Sequence, residues 1–115
     1  MKLTIQGLRL GTGGNNRESW HAADRRKRRE KESVWIFLRS QFGLVPPKLP
    51  LTITVTRVGP RTVDAHDNLP CACKYIVDEI ARYLGVDDAN PQLTWKYAQE
   101  KSQEFGVRIE IEEVQ

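Results

Sequence analysis

Two acidic clusters flank one amphipathic stretch of this 115-residue chain. The first is Val63-Asp64-Ala65-His66-Asp67-Asn68-Leu69, and the second is Gly85-Val86-Asp87-Asp88-Ala89-Asn90. Asp67 stands at the start of the intervening helical stretch. There it has two available roles: with Asn68, to cap the helix by accepting backbone N–H bonds, worth about 1 kcal/mol, or to hold Mg²⁺, a hard ion that takes oxygen ligands. Asp87 and Asp88 follow the stretch, where the helix dipole disfavours negative charge and a polar turn tolerates it. Convergence of the clusters would need compensation. Two unit charges about 4 Å apart cost roughly 4 kcal/mol at an effective dielectric of about 20, and a divalent cation or a raised pKa would offset that. A bound ion would polarise a phosphodiester oxygen and acidify water. Lys74, off the apolar stripe, is either an ordinary surface residue or an ammonium that stabilises charge developing on a phosphate.

A second constellation is basic: Arg25-Arg26-Lys27-Arg28-Arg29-Glu30-Lys31. On a helix these charges wrap more than one face. A dense, unneutralised block of this kind fits a nucleic-acid surface, with salt-dependent binding through counterion release. The chain is split in the same sense. Residues 1–61 carry 13 Lys/Arg against 4 Asp/Glu, a balance of +9, and residues 62–115 carry 5 against 11, a balance of −6, which together give the net +3. One half suits a polyanion and the other has carboxylates for a cation.

Other chemistries are excluded or disfavoured. Two cysteines spaced C-x-C make no disulfide framework. Cys71 and Cys73 face different sides of a helix, with Cys73 on the apolar stripe as a small buried hydrophobe. Two Cys and two His lack standard zinc spacing. No apolar run approaches the roughly 20 residues of a membrane span, and the N-terminal residues lack a signal-like apolar stretch, so a cytoplasmic location is expected.

The elements that must position these groups follow from periodicity. Lys2–Leu10 reads as a strand with Gly7 as a bulge. Gly11-Thr12-Gly13-Gly14 breaks it and lacks the phosphate-loop pattern. A helix starts at a Ser19 cap and runs to about Gln41, before Gly43 and Pro46-Pro47. Leu51–Val58 alternates at period two and is rich in β-branched residues, as a strand requires. Leu69–Leu84 reads as one helix of about 16 residues, roughly 24 Å long, with Leu69, Cys73, Ile76, Val77, Ile80, Tyr83 and Leu84 on one face, Pro70 in its first turn and Gly85 at its end. The two acidic clusters then meet only if the chain folds back or if two subunits pair. Leu93–Tyr97 and Phe105–Ile111 alternate and predict a β-hairpin. The expected class is α+β: one domain over residues 1–115, ordered β-α-β-α-β-β, with two helices on one face of a mixed four-stranded sheet.

The motifs resemble those of the RusA-like Holliday-junction resolvases common in phages and prophages. Asn15-Asn16-Arg17 is similar to that family's entry into a basic helix. Asp67-Asn68-Leu69, Lys74, Asp78, Gly85 and Asp87-Asp88 resemble its central signature. The resemblance implies a homodimeric, Mg²⁺-dependent endonuclease (Mn²⁺ as a substitute) that cuts four-way DNA junctions in recombination and repair, in a bacterial or phage-infected cytoplasm. It implies Asp67 and Asp88 as metal ligands, joined by Asp64 and Asp87, and Lys74 as the charge-stabilising catalytic residue. Asn16, Arg17, Arg25, Arg26, Lys27, Arg28, Arg29 and Lys31 would contact DNA. The chain departs from the family at Ala65, where a further carboxylate is usual and Asp64 is the nearest substitute. It also departs in spacing, with Lys74 seven residues beyond Asp67. A junction-binding protein of the same fold, with its chemistry disabled at Ala65, is the alternative reading.

Overall fold

The computed structural model describes residues 1–10, 20–65 and 68–114. The proposed Ser19 cap, the glycine-rich segment, Asn16, Arg17 and Asp67 lie outside the described residues.

Four strands form one mixed sheet: β1 (Lys2–Gln6), β2 (Leu51–Gly59), β3 (Leu93–Lys101) and β4 (Gly106–Glu113). Their spatial order is β1-β4-β2-β3. Strand β4 is antiparallel to both β1 and β2, whereas β3 runs parallel to β2. Register stacks apolar side chains on one face: Leu3 opposes Ile109, Ile109 opposes Val55, and Val55 opposes Tyr97. The other face carries Thr52, Thr54, Lys96, Arg108, Glu110 and Glu112, as period two demands. The α+β class is the one expected.

The predicted hairpin does not form. β3 and β4 flank β2 and do not pair with each other. The cause is the helical crossover between β2 and β3. A strand returning from such a crossover lies parallel to the strand it left. β4 then takes the opposite edge of β2, so that both backbone edges of this β-branched strand are bonded. The short connection from β3 to β4 passes the end of β2, where the Ser102 N–H donates to the Gly59 carbonyl at 2.9 Å. Period-two alternation reports which face a residue takes and says nothing of which strand lies beside it.

β1 is shorter than its sequence pattern. Gly7 adopts φ +79° and its N–H donates to the Phe105 carbonyl at 2.7 Å, which ends the strand. Leu8 and Leu10 are nonetheless buried, beyond the strand.

Helix α1 (Trp20–Phe37) continues into a π-helical turn, Leu38–Phe42, that stops at Gly43 (φ +92°). In that turn the Ser40 hydroxyl donates to the Ile36 carbonyl at 2.9 Å, a local bond that competes with the helical ladder. The predicted single helix over Leu69–Leu84 is two: α2 (Asn68–Ala72) and α3 (Lys74–Leu84). They break at Cys73, whose ψ of −1° tilts its peptide out of the helical range. The bonds from Cys73 N–H to Leu69 O (3.1 Å) and from Val77 N–H to Cys73 O (3.0 Å) persist across the break. All seven residues of the predicted apolar stripe are buried.

The core lies between the apolar sheet face and the helices. Val34, Leu38, Ile53, Val55, Ile76, Ile80, Val107 and Ile109 are fully inaccessible to solvent, and each such side chain contributes about 1.5–3 kcal/mol of burial free energy. The Tyr83 hydroxyl donates to the Gly43 carbonyl at 2.7 Å and ties α3 to the end of the π-helical turn. Among the described residues no helix is long and apolar enough to cross a membrane.

Candidate functional site

Lys74 opens α3, a position where the helix dipole disfavours a cation. It is held there by two carboxylates. Its Nζ donates to Asp78 Oδ1 at 2.8 Å and to Asp88 Oδ2 at 3.0 Å. The bond to Asp78, and then that to Asp88, hold the ammonium in its charged form well above the ordinary lysine range. In return the Lys74 bond, reinforced by one from Asp87, pulls the Asp88 carboxyl below its usual value. All three side chains keep contact with solvent, Lys74 being about half exposed (55%).

Asp88 reaches Lys74 because the chain reverses after α3. Gly85 takes the left-handed conformation (φ +75°), and the N–H groups of Gly85 and Val86 bond the carbonyls of Arg82 (3.1 Å) and Ala81 (3.2 Å). Asp87 then closes a turn, its Oδ1 accepting the Ala89 N–H at 2.8 Å. The Trp95 indole N–H donates to the Asp88 carbonyl at 2.8 Å and fixes that backbone to β3. Of the two routes by which the acidic segments might meet, the fold-back thus brings Asp88 to the lysine within one chain.

Of the other acidic residues of the predicted site, Asp87 adjoins Asp88 and Asp64 is not grouped with them. Asp64 is exposed, and its backbone carbonyl accepts the Leu69 N–H at 2.8 Å at the start of α2. Asp87 serves its turn. Among the described residues no three Asp, Glu, His or Cys side chains are grouped to hold a metal, and Asp67 lies outside those residues. The donor chemistry at Asp88 still suits a hard ion, since Mg²⁺ uses as few as one or two carboxylates and keeps its remaining waters. The place between Asp78 and Asp88 belongs to the Lys74 ammonium.

The basic helix is less uniformly charged toward solvent than its sequence implies. Glu30 is fully buried, and Arg26 Nη1 donates to its Oε1 at 3.2 Å. Arg28 pairs with Asp24 at 2.9 Å, and the Lys27 ammonium lies over the Tyr75 ring, 5.0 Å from its centre. The expectation of an unneutralised block is therefore corrected. Arg25 and Arg29 are exposed and Lys31 is half-buried. Glu30, Val34 and Leu38 recur every four residues, and that spacing carried the signal of Glu30's burial. Arg57 carries a signal of the same kind: it shares the inward parity of Leu51, Ile53 and Val55, and it is buried.

No protein-family model matches the chain, and no curated protein matches it.

Proposed function

We propose that this chain is a Mg²⁺-dependent endonuclease of branched DNA, acting as a cytoplasmic homodimer on four-way junctions, as its RusA-like motifs imply. The observation that carries the reading is the Lys74–Asp88 contact. Two residues 14 positions apart, both in the motif set, meet at an exposed point, where the ammonium offsets the charge of Asp78 and Asp88. α2, whose first residue follows Asp67 directly, leads straight into Lys74.

In this reading Asp88 and Asp67 would hold the ion, which when bound supplies charge stabilisation and acidified water for phosphodiester hydrolysis. Lys74 keeps the Asp88 carboxylate oriented and presents positive charge to the phosphate under attack. The exposed cations of α1 bind the flanking backbone.

The test is nicking of a synthetic four-way junction with Mg²⁺ or Mn²⁺. Metal-dependent, paired nicks lost in Asp88→Asn support the reading, and a folded protein inert at every metal concentration overturns it. Ala65 favours a second reading, junction binding without cleavage. Tight, junction-selective binding that Asp88→Asn leaves unchanged, with no nicking, would establish that one instead.

A further inference from the structure

At the end of the sheet where β1 and β2 finish and β4 begins, a cavity of about 320 Å³ is lined by Arg9, Arg57, Pro60, Arg61 and Phe105. Three arginines line it, and among the described residues none of the three has a carboxylate partner. Arg57 is the unusual member. It stands on the helix-facing side of the sheet and is only 6% exposed. Its Nη1 donates to the Arg61 carbonyl at 2.6 Å, and its buried Nε has no hydrogen-bond partner among the described residues. Burial lowers its pKa, the nearby Cys73 opposes that shift, and the nearby Arg9 adds to it. A guanidinium does not escape by losing its proton, and a buried cation without a counter-charge is costly.

The walls are shaped to hold the site open. The Arg9 guanidinium lies over the Phe105 ring, 4.8 Å from its centre, which orients it. Gly59 has no side chain there, and a Cβ would meet the Phe105 ring at 3.3 Å and Arg57 Nη1 at 3.7 Å. A compact tetrahedral oxyanion suits this lining, which brings three arginines together and includes no carboxylate.

We propose that Arg9, Arg57 and Arg61 form a phosphate-binding pocket, separate from the Lys74–Asp88 cluster. The pocket does not depend on the nuclease reading, because a phosphate from a nucleic-acid backbone and free inorganic phosphate present it with the same oxygens.

The test follows the Arg57 Nε–H signal in nitrogen–proton correlation spectra of the whole chain without divalent metal. Inorganic phosphate is titrated against chloride at matched ionic strength. A saturable shift with phosphate alone is expected, weakened about tenfold or more in Arg61→Gln. Arg61 is exposed, so that variant keeps the test valid if Arg57→Gln fails to fold. A short DNA duplex added afterwards separates the sources: displacement of inorganic phosphate assigns the pocket to backbone phosphate, and no displacement assigns it to the free ion. An equal response to chloride, or an affinity that Arg61→Gln leaves intact, overturns the pocket. Neither result bears on cleavage, so the two proposals fail separately.

Discussion

Lys74 is placed against two local rules. A cation at the start of a helix opposes the dipole, and a lysine four residues before an aspartate is the less favourable order for such a pair. Its two carboxylates offset this at a surface where ion pairs are worth about 0–1 kcal/mol, so stability alone gives little reason for the residue. Lys74→Met is therefore expected to leave the thermal midpoint nearly unchanged while slowing junction nicking about a hundredfold; single-turnover rates and melting curves measured on one preparation check this. A fall in midpoint large enough to account for the diminished activity would make the trio structural. Cys73 behaves in the opposite manner. Burial, despite the opposing Arg57 charge, pushes its thiol up to about 12 from an ordinary 9.0. Its folded pKa is raised, so its stability contribution is complete below about pH 9 and is lost as pH climbs towards 12. Denaturation midpoints should fall across that window, and less so in Cys73→Ala. Below it, iodoacetamide should label exposed Cys71 and spare Cys73 until the chain unfolds. The burial of Cys73 was legible from the apolar stripe. The partners of Lys74 were not, because a bond across 14 residues depends on a reversal whose direction no periodicity encodes.

Helical elements are legible where a stripe faces the core and hidden where the backbone changes without disturbing that stripe. The break at Cys73 leaves Leu69, Cys73 and Ile76 in phase, so nothing in the order of apolar residues announces it. Gly85 was legible because the reversal needs a left-handed residue, and its φ of +75° bears this out. No atom lies within 4 Å of a Cβ added there, so Gly85→Ala carries a conformational cost alone. Roughly 1–2 kcal/mol is expected, measurable by denaturant titration, and the Trp95 emission should change as the Asp88 carbonyl shifts on its indole. In α1 the cations divide by partner. Arg26 is committed to buried Glu30, whereas Arg25, Arg29 and Lys31 make no ion pair among the described residues. Replacing those three by Gln should flatten the dependence of log affinity on log salt by about 0.9 for each backbone phosphate that is no longer neutralised. Equal slopes for the variant and the parent chain, determined on one duplex by anisotropy, would remove α1 from the DNA surface.

At the scale of the molecule, the charge split in the sequence is only partly gathered into sites. Glu100, Glu110 and Glu112 lie on the polar face of the sheet, and Glu100 holds Arg108 at 2.9 Å. That share of the acidic excess belongs to the sheet surface, where Glu100 is already paired with Arg108. A charge count along the chain could not separate these glutamates from Asp88, since only the strand register tells them apart. Strand order was likewise hidden, and it governs how the fold opens. With the order β1-β4-β2-β3, β2 and β4 are bonded on both edges, while among the described residues β1 and β3 each leave one edge unpaired. Amide exchange should therefore rank the strands. The N–H groups of Ile53, Val55, Val107 and Ile109 should exchange only through global unfolding. β3 amides that face its free edge should exchange orders of magnitude sooner, and those bonded to β2 should fall between. A β3–β4 hairpin gives another ranking, in which both strands lose protection together and β2 precedes them. Exchange rates resolved by residue on the whole chain decide between the two orders. The same experiment bears on the Lys74–Asp88 contact, because the Trp95 bond that anchors Asp88 rests on β3, and early opening of that strand would release the carboxylate before the core unfolds.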